Sequence, residues 1–461
     1  MSAGHQFNAT ILREYDIRGI VGETLTAADA LALGRTFGST IRDNGGSTVA
    51  VCFDGRLSSP ELSDNLIKGL TSTGIDVTRI GLGPTPMLYY AARTLGTDGG
   101  IMVTGSHNPS HFNGFKMVMG KAPFWGDAIQ AIGQRAAAAD WHAGEGTVTD
   151  LDISDEYINR VRQDYRAERG LKVAWDGGNG AAAEIMARLT KMLPGEHVLL
   201  NEVVDGTFPA HHPDPTVEEN LVQLQDAVKA ENCDLGVAFD GDGDRIGVVD
   251  GQGRVLWGDQ ILTVLARDLI ERVPGATVIA DVKASDVLFE EVARLGGNPV
   301  MSPTGHSIIK SKMVELDAEL AGEMSGHIFF GDGYYGYDDA LYAAVRLIDI
   351  VARSDMTMSA IRDSLPSALN TPEIRLEVPE ENKFPLVEEI RERLLSTDRD
   401  NVSTLDGIRV KTPDGWWLLR ASNTQNVLVI RCESSTEEGL DRVKATVSGH
   451  LRESGLEPPV M

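Results

Sequence analysis

Asp240, Asp242 and Asp244 stand two apart in FDGDGDRIG, the densest chemical feature of the chain. The intervening glycines let the backbone fold tightly. Three carboxylates so close together repel one another, so a compensating cation is expected. Hard oxygen donors suit Mg²⁺ or Ca²⁺ rather than a thiolate-seeking metal. An EF-hand would need Gly where Arg245 stands and Glu where Gly251 stands, which excludes that site type. A solvated acidic turn is the bland alternative. The loop is embedded between two apolar runs, LGVAF and IGVVD, which puts it at a strand end where α/β sites lie and favours a metal.

Ser106 stands on a glycine turn beside His107 in GGIMVTGSHNPSHFNGFKMV. Gly, Ser, Asn and Pro are also what any turn needs, so this loop alone leaves nucleophile and turn residue both open. TGSHNP does not fit the Gly-x-Ser-x-Gly elbow of hydrolases. In RASNTQN, Arg420, Ser422, Asn423 and Thr424 offer a guanidinium with hydroxyl and amide donors, which suits a phosphate dianion; a polar hairpin turn is the competing reading. In GEMSGH, Glu323, Ser325 and His327 alternate, and in an extended loop they would point the same way and grip vicinal hydroxyls. REYDIRG puts Tyr15 and Arg18 beside a glycine, and Arg18 with Lys116, Lys283 and His306 adds the positive charge that an anionic substrate needs.

The elements that position these loops follow a repeated grammar. GSTVAVCFDGRLSSPELSDNLIKGL, GLKVAWDGGNGAAAEIMARLTKML and GATVIADVKASDVLFEEVARLGG each carry an apolar run, a polar turn after Asp54, Asp176 or Asp281, and a helical pattern. Such runs read as buried strands followed by crossover helices. Each is followed by a second apolar segment broken by one of the polar, Gly-rich loops. The spacing predicts three similar α/β domains, each donating a loop to a shared site. After about residue 368 the pattern changes to a helix and an alternating hairpin around Pro413, Asp414 and Gly415, a smaller α+β domain. Domain boundaries are placed at 1–151, 152–254, 255–367 and 368–461.

A chain of 461 residues is too long for one core, which agrees with several domains. Its net charge of −26 repels nucleic acid and anionic membranes, so an anionic ligand must meet a locally basic cleft. Cys52, Cys233 and Cys432 sit in apolar runs without a CxxC pair and read as buried thiols of a reduced protein. The first residues carry no basic then apolar leader pattern, and no apolar segment reaches the ~18 residues of a membrane span. The chain reads as soluble and cytoplasmic.

Taken in order, YDIRG, TGSHNP, DGDGDR, GEMSGH and RASNT resemble the motifs of the α-D-phosphohexomutases, in particular the bacterial phosphomannomutase/phosphoglucomutase branch. The resemblance covers nearly the whole chain. It departs where Asn426 stands in place of the usual proline. It implies a heart-shaped, four-domain enzyme with a central cleft, acting on a small phosphosugar as a monomer or small homo-oligomer. It also implies that Ser106 is a phosphoserine and that Asp240, Asp242 and Asp244, with a phosphoserine oxygen, hold Mg²⁺. Glu323 and Ser325 would bind sugar hydroxyls, and Arg420, Ser422, Asn423 and Thr424 the unreactive phosphate. Arg18, His107, Lys116, Arg245, Lys283, His306 and His327 would line the cleft, with Lys116, His107 and His327 as proton-transfer candidates. The implied reaction interconverts mannose or glucose 1-phosphate and 6-phosphate through a 1,6-bisphosphate, with glucose or mannose 1,6-bisphosphate as activator. The alternatives are a phosphoglucosamine mutase, a sugar phosphatase or a non-catalytic sugar-phosphate sensor.

Overall fold

The computed structural model describes residues 4–397, 399–422 and 426–461. Its first three sheets repeat one four-strand arrangement. In the first domain the strands are Thr48–Phe53, Asp76–Leu82, Gly99–Val103 and Phe112–Met119. In the second they are Leu171–Asp176, Gly195–Leu200, Leu235–Phe239 and Ile246–Asp250. In the third they are Thr277–Asp281, Asn298–Ser302, Leu320–Gly322 and Ile328–Phe330. Each first strand runs parallel to the second on one side and to the third on the other, and the fourth pairs antiparallel with the third.

The physical reason lies in the apolar runs. Every residue of Gly99–Val103 and Leu235–Phe239 is buried, as expected of strands covered by helices on both faces. The antiparallel return is what aims the loops. Each Gly-rich segment leaves the carboxyl end of a central strand and comes straight back beside it, so it is held at both ends by sheet hydrogen bonds.

One apolar core runs through the first three domains, from Leu88 and Met102 through Trp175 and Phe239 to Leu341 and Leu347. The fourth domain has its own, built from Ile390, Trp417, Ile430 and Val447. There Ile408–Thr412 and Gly415–Ala421 form the hairpin around Pro413 and Asp414, with Thr412 opposite Gly415, and helices Glu380–Thr397 and Glu437–Glu453 complete the α+β unit. Its contact with the third domain is a small patch of Val282, Trp416 and Leu418 beside a polar seam. In that seam Arg409 pairs with Asp286 at 3.0 Å and Arg431 with Asp259 at 3.3 Å. Cys52, Cys233 and Cys432 are buried free thiols. Among the described residues no helix is long and apolar enough to cross a membrane.

Candidate active site

The serine loop joins Gly99–Val103 to Phe112–Met119. Ser106 adopts φ 49°, a left-handed conformation uncommon for a residue other than glycine. Its amide donates to Thr104 Oγ1 at 2.8 Å, and its side chain is buried. Ser106 Oγ lies 3.1 Å from Asp240 Oδ2 and 3.3 Å from His107 Nδ1. Two loops from different domains therefore meet at this hydroxyl.

Asp240, Asp242 and Asp244 are fully buried, and each offers an oxygen within 4.8 Å of the others. Asp240 Oδ1 accepts from the amides of Asp244 and Arg245 at 3.1 and 3.2 Å. Asp242 Oδ2 accepts from Thr85 Oγ1 at 2.5 Å and from Lys116 Nζ at 2.7 Å, and the same ammonium binds Asp244 Oδ2. Asp242 Oδ1 and Asp244 Oδ1 are buried without a hydrogen-bond partner among the described residues, although His327 Nε2 faces Asp244 Oδ1 at 3.2 Å. Unsatisfied carboxylate oxygens converging in a buried loop are the donor set of a hard divalent cation, so these residues fit such an ion.

The charges are strongly polarised. Burial, then Asp242 and Asp244, drive the Asp240 carboxyl far above the usual range. Burial would raise Asp244 too, but Lys116 and then His327 hold it well below. Lys116 is itself pushed upward, because the surrounding carboxylates outweigh its burial. His107 goes the other way: burial, then Arg245, Arg18 and Lys116, keep its imidazole neutral.

The GEMSGH loop corrects one expectation. It is a tight turn rather than an extended run, closed by the Gly326 amide on Glu323 O at 3.0 Å and the Glu323 amide on His327 O at 2.9 Å. Gly326 takes φ 86°, which permits the turn. Glu323 and His327 therefore meet across the turn, Oε2 to Nδ1 at 2.9 Å, with Ser325 Oγ 3.1 Å from the same nitrogen. Flanked by Asp244 and Glu323, which outweigh its burial, His327 is raised to about 9.

The other residues selected from sequence lie around this centre. Arg18 donates to Asn108 Oδ1 of the serine loop at 2.7 Å and pairs with Asp16. Tyr15 donates to Thr304 O at 2.8 Å across the first and third domains. His306 opens helix His306–Leu316, its ring 5.5 Å from that of His327. Arg245 Nε reaches His327 Nε2 at 3.4 Å. Lys283 pairs with Glu373 at 3.1 Å, and Arg420 with Asp406 at 3.0 Å. Asp406 also accepts from the Thr304 amide at 2.9 Å, so the Arg420 segment closes against the third domain. Ser422 is buried, while Asn423 and Thr424 lie outside the described residues.

Sequence reasoning missed three supports of this site. Thr85 holds Asp242 from a helix of the first domain. Asp338, tied to Lys310 Nζ at 2.9 Å, places a buried carboxylate 3.6 Å from His306. His212, in a second-domain loop, contacts the backbone of His107. None has a local signature, because each is made only by contacts between distant segments; the paired histidines of AHHPDP were the one visible hint.

Models of the phosphoglucomutase/phosphomannomutase family match along the chain: alpha/beta/alpha domain I over residues 9–143, domain II over 155–253, domain III over 257–369 and the C-terminal domain over 373–450. The chain belongs to this family. It is 46% identical over 452 residues to the phosphomannomutase/phosphoglucomutase of Pseudomonas aeruginosa, covering 98% of this chain and 97% of that one. It is 42% identical over 440 residues to a phosphoglucomutase of Neisseria meningitidis, 94% and 95% of the two chains. A crystal structure of a phosphoglucomutase/phosphomannomutase family protein from Burkholderia thailandensis superposes with a TM-score of 0.92 at 42% identity, covering 98% of each chain. All four family domains are thus present in order, and the serine, acidic and GEMSGH loops fall in domains I, II and III.

Proposed function

We propose that this enzyme is a phosphohexomutase that interconverts the 1-phosphate and 6-phosphate of mannose, glucose or both. The observation that carries the reading is Ser106 Oγ, buried and left-handed, 3.1 Å from a carboxylate of a three-aspartate cluster. Phosphoryl transfer depends on positioning and charge neutralisation more than on covalent machinery, and this site is built for both. The relatives' names, phosphomannomutase/phosphoglucomutase and phosphoglucomutase, support mannose and glucose over glucosamine.

In this reading Ser106 carries the phosphoryl group. The free hydroxyl of the bound hexose phosphate attacks phosphorus, the P–Oγ bond breaks, and a 1,6-bisphosphate forms. After turning over in the cleft, the bisphosphate returns its other phosphate to Ser106. Asp240, Asp242 and Asp244 would hold Mg²⁺, which supplies charge neutralisation at the phosphoserine. Lys116 holds two of those carboxylates, and Arg18 and Arg245 bring cationic donors to the cleft.

Glu323 and Ser325 face the sugar hydroxyls. Lys283, His306 and Tyr15 line the approach. Arg420 and Ser422, with Asn423 and Thr424, receive the phosphate that is not reacting. Proton exchange with the sugar hydroxyl falls to His327, held through Nδ1 by Glu323 and raised only to about 9, because Lys116 between two carboxylates keeps its proton far more tightly.

The test is a coupled assay with Mg²⁺ and a trace of glucose 1,6-bisphosphate, comparing mannose, glucose and glucosamine 1-phosphates. The expected result is conversion of mannose or glucose 1-phosphate to the 6-phosphate, lost on adding EDTA. Preference for glucosamine 1-phosphate would overturn the sugar assignment. Release of inorganic phosphate without isomerisation would overturn the mutase.

A further inference from the structure

The serine loop joins no sheet or helix over Gly105–His111 and is closed on itself by two turns, the Asn108 amide on Gly105 O and the Phe112 amide on Pro109 O, each at 3.0 Å, yet it must hold Ser106 in a left-handed conformation. The group that braces it from behind is Arg56, nearly fully buried and 50 positions away from Ser106 along the chain. A guanidinium has five N–H donors in a rigid planar fork. All five are engaged here. Nε donates to Asp54 Oδ2 at 3.1 Å. Nη1 donates to the carbonyls of Pro109 and Phe112 at 2.6 and 3.0 Å. Nη2 donates to the carbonyls of Ser106 and Asn108 at 2.7 and 2.6 Å.

Asp54 completes the strut. Its carboxylate accepts from Thr104 Oγ1 at 2.8 Å, the Gly105 amide at 3.2 Å and Ser59 Oγ at 2.5 Å, so the same ion pair grips both ends of the turn. Gly105 is required by this arrangement: a Cβ there would lie 2.6 Å from Arg56 Cζ and Nε. On the outer side Phe208, from the second domain, covers the guanidinium with its ring centroid 5.0 Å from Cζ.

We propose that Arg56 is the positioning residue of the nucleophile loop, setting the attitude of Ser106 Oγ toward Asp240 and excluding water behind the phosphoserine. The proposal rests on the assignment of Ser106 as the phosphorylated nucleophile. A loosened loop would have two effects. Transfer to the sugar slows because Oγ is misplaced. Water gains access to phosphorus, so that its oxygen displaces Ser106 Oγ, which takes a proton, and inorganic phosphate leaves.

The experiment uses the full-length protein phosphorylated by prior incubation with glucose 1,6-bisphosphate. It compares wild type with Arg56→Lys and Gly105→Ala. Lysine keeps the charge but has three donors and no fork; the alanine keeps Arg56 and displaces its guanidinium. The readouts are kcat, KM for glucose 1-phosphate, and inorganic phosphate released per isomerisation. The expected result in both variants is a fall in kcat of roughly 100-fold, as for small misplacements of a reacting group, with KM changed less than about threefold and phosphate release per turnover raised. Wild-type kcat and wild-type phosphate release in either folded variant overturns the proposal. So does a loss of kcat with no change in phosphate release, which marks a purely structural role. Failure of the Ser106 assignment is separately visible, as turnover by Ser106→Ala.

Discussion

In the proposed reaction Ser106 takes its reactivity from its neighbours rather than from a triad. With His107 held neutral by burial and surrounding cations, the hydroxyl lies between an imidazole and a carboxylate, and no Ser–His–Asp relay forms at this loop among the described residues. Ser106→Ala is expected to abolish turnover, measured in the coupled assay, without shifting the thermal unfolding midpoint by more than the assay error. His327→Asn removes the proposed proton carrier while preserving shape, and kcat should fall roughly 10²- to 10⁴-fold with a much smaller change in KM. A KM effect equal to the kcat effect would instead mean that His327 only binds sugar.

At the scale of elements, what matters is how strand ends and helix starts are fastened. Asp339 caps helix Ala340–Arg353 through the Tyr342 amide at 2.9 Å and also accepts from Tyr157 Oη at 3.0 Å and Tyr334 Oη at 2.7 Å. One carboxylate thus ties a helix start to a tyrosine of the second domain. Asp339→Ala leaves three donors unpaired, two buried and one half-buried, and should cost about 2–4 kcal/mol, read as a lower midpoint in urea.

The Lys283–Glu373 contact joins the third domain to the first residues of the fourth. Burial would raise Glu373, but Lys283 and then Arg375 pull it from its ordinary 4.5 down to about 2. A depressed carboxylate contributes stability above its unfolded value. That contribution is therefore complete above pH ~4.5 and is lost as pH falls toward ~2. With the glutamate partly exposed, the magnitude is on the order of 1–2 kcal/mol. Glu373→Gln should make the acid limb of the unfolding curve shallower over that window; an unchanged limb would show that the pair contributes nothing.

For the whole molecule, the partition of cores is the governing fact. One apolar core runs continuously through the first three domains, beside a second core confined to the first, whereas the fourth shares in neither and meets the third through a small apolar patch and a polar seam. Polar interfaces of this kind permit relative motion more readily than a continuous core. Rotation of the fourth domain is the expected means of admitting a substrate that must present either end, and it should appear as a smaller radius of gyration in X-ray scattering when glucose 1,6-bisphosphate is added. An identical radius with and without ligand would argue for a static cleft. Chelation acts at this scale too: three buried carboxylates face one lysine, so EDTA should abolish activity and added Mg²⁺ restore it.

The repeat of strand, turn, helix and interrupted strand was legible because burial on both faces of a sheet demands uninterrupted apolar runs. The acidic and serine loops were legible because Asp240, Asp242 and Asp244, or Gly105, Ser106 and His107, are neighbours in the chain, and residue type with short spacing limits the chemistry available. The antiparallel return of each loop strand was not, since pairing direction leaves no mark on an all-buried run. Nor was the true shape of GEMSGH, where the left-handed Gly326 turned an apparent alternation into a tight bend. Lys116 on Asp242, Thr85 on the same carboxylate and Arg56 beneath Ser106 join residues 126, 157 and 50 positions apart. Residue types at short spacing were enough to say which groups could do chemistry. Only the folded chain decided which charges neutralise which, because that depends on distances set by sheets packing across domains and not on spacing along the backbone.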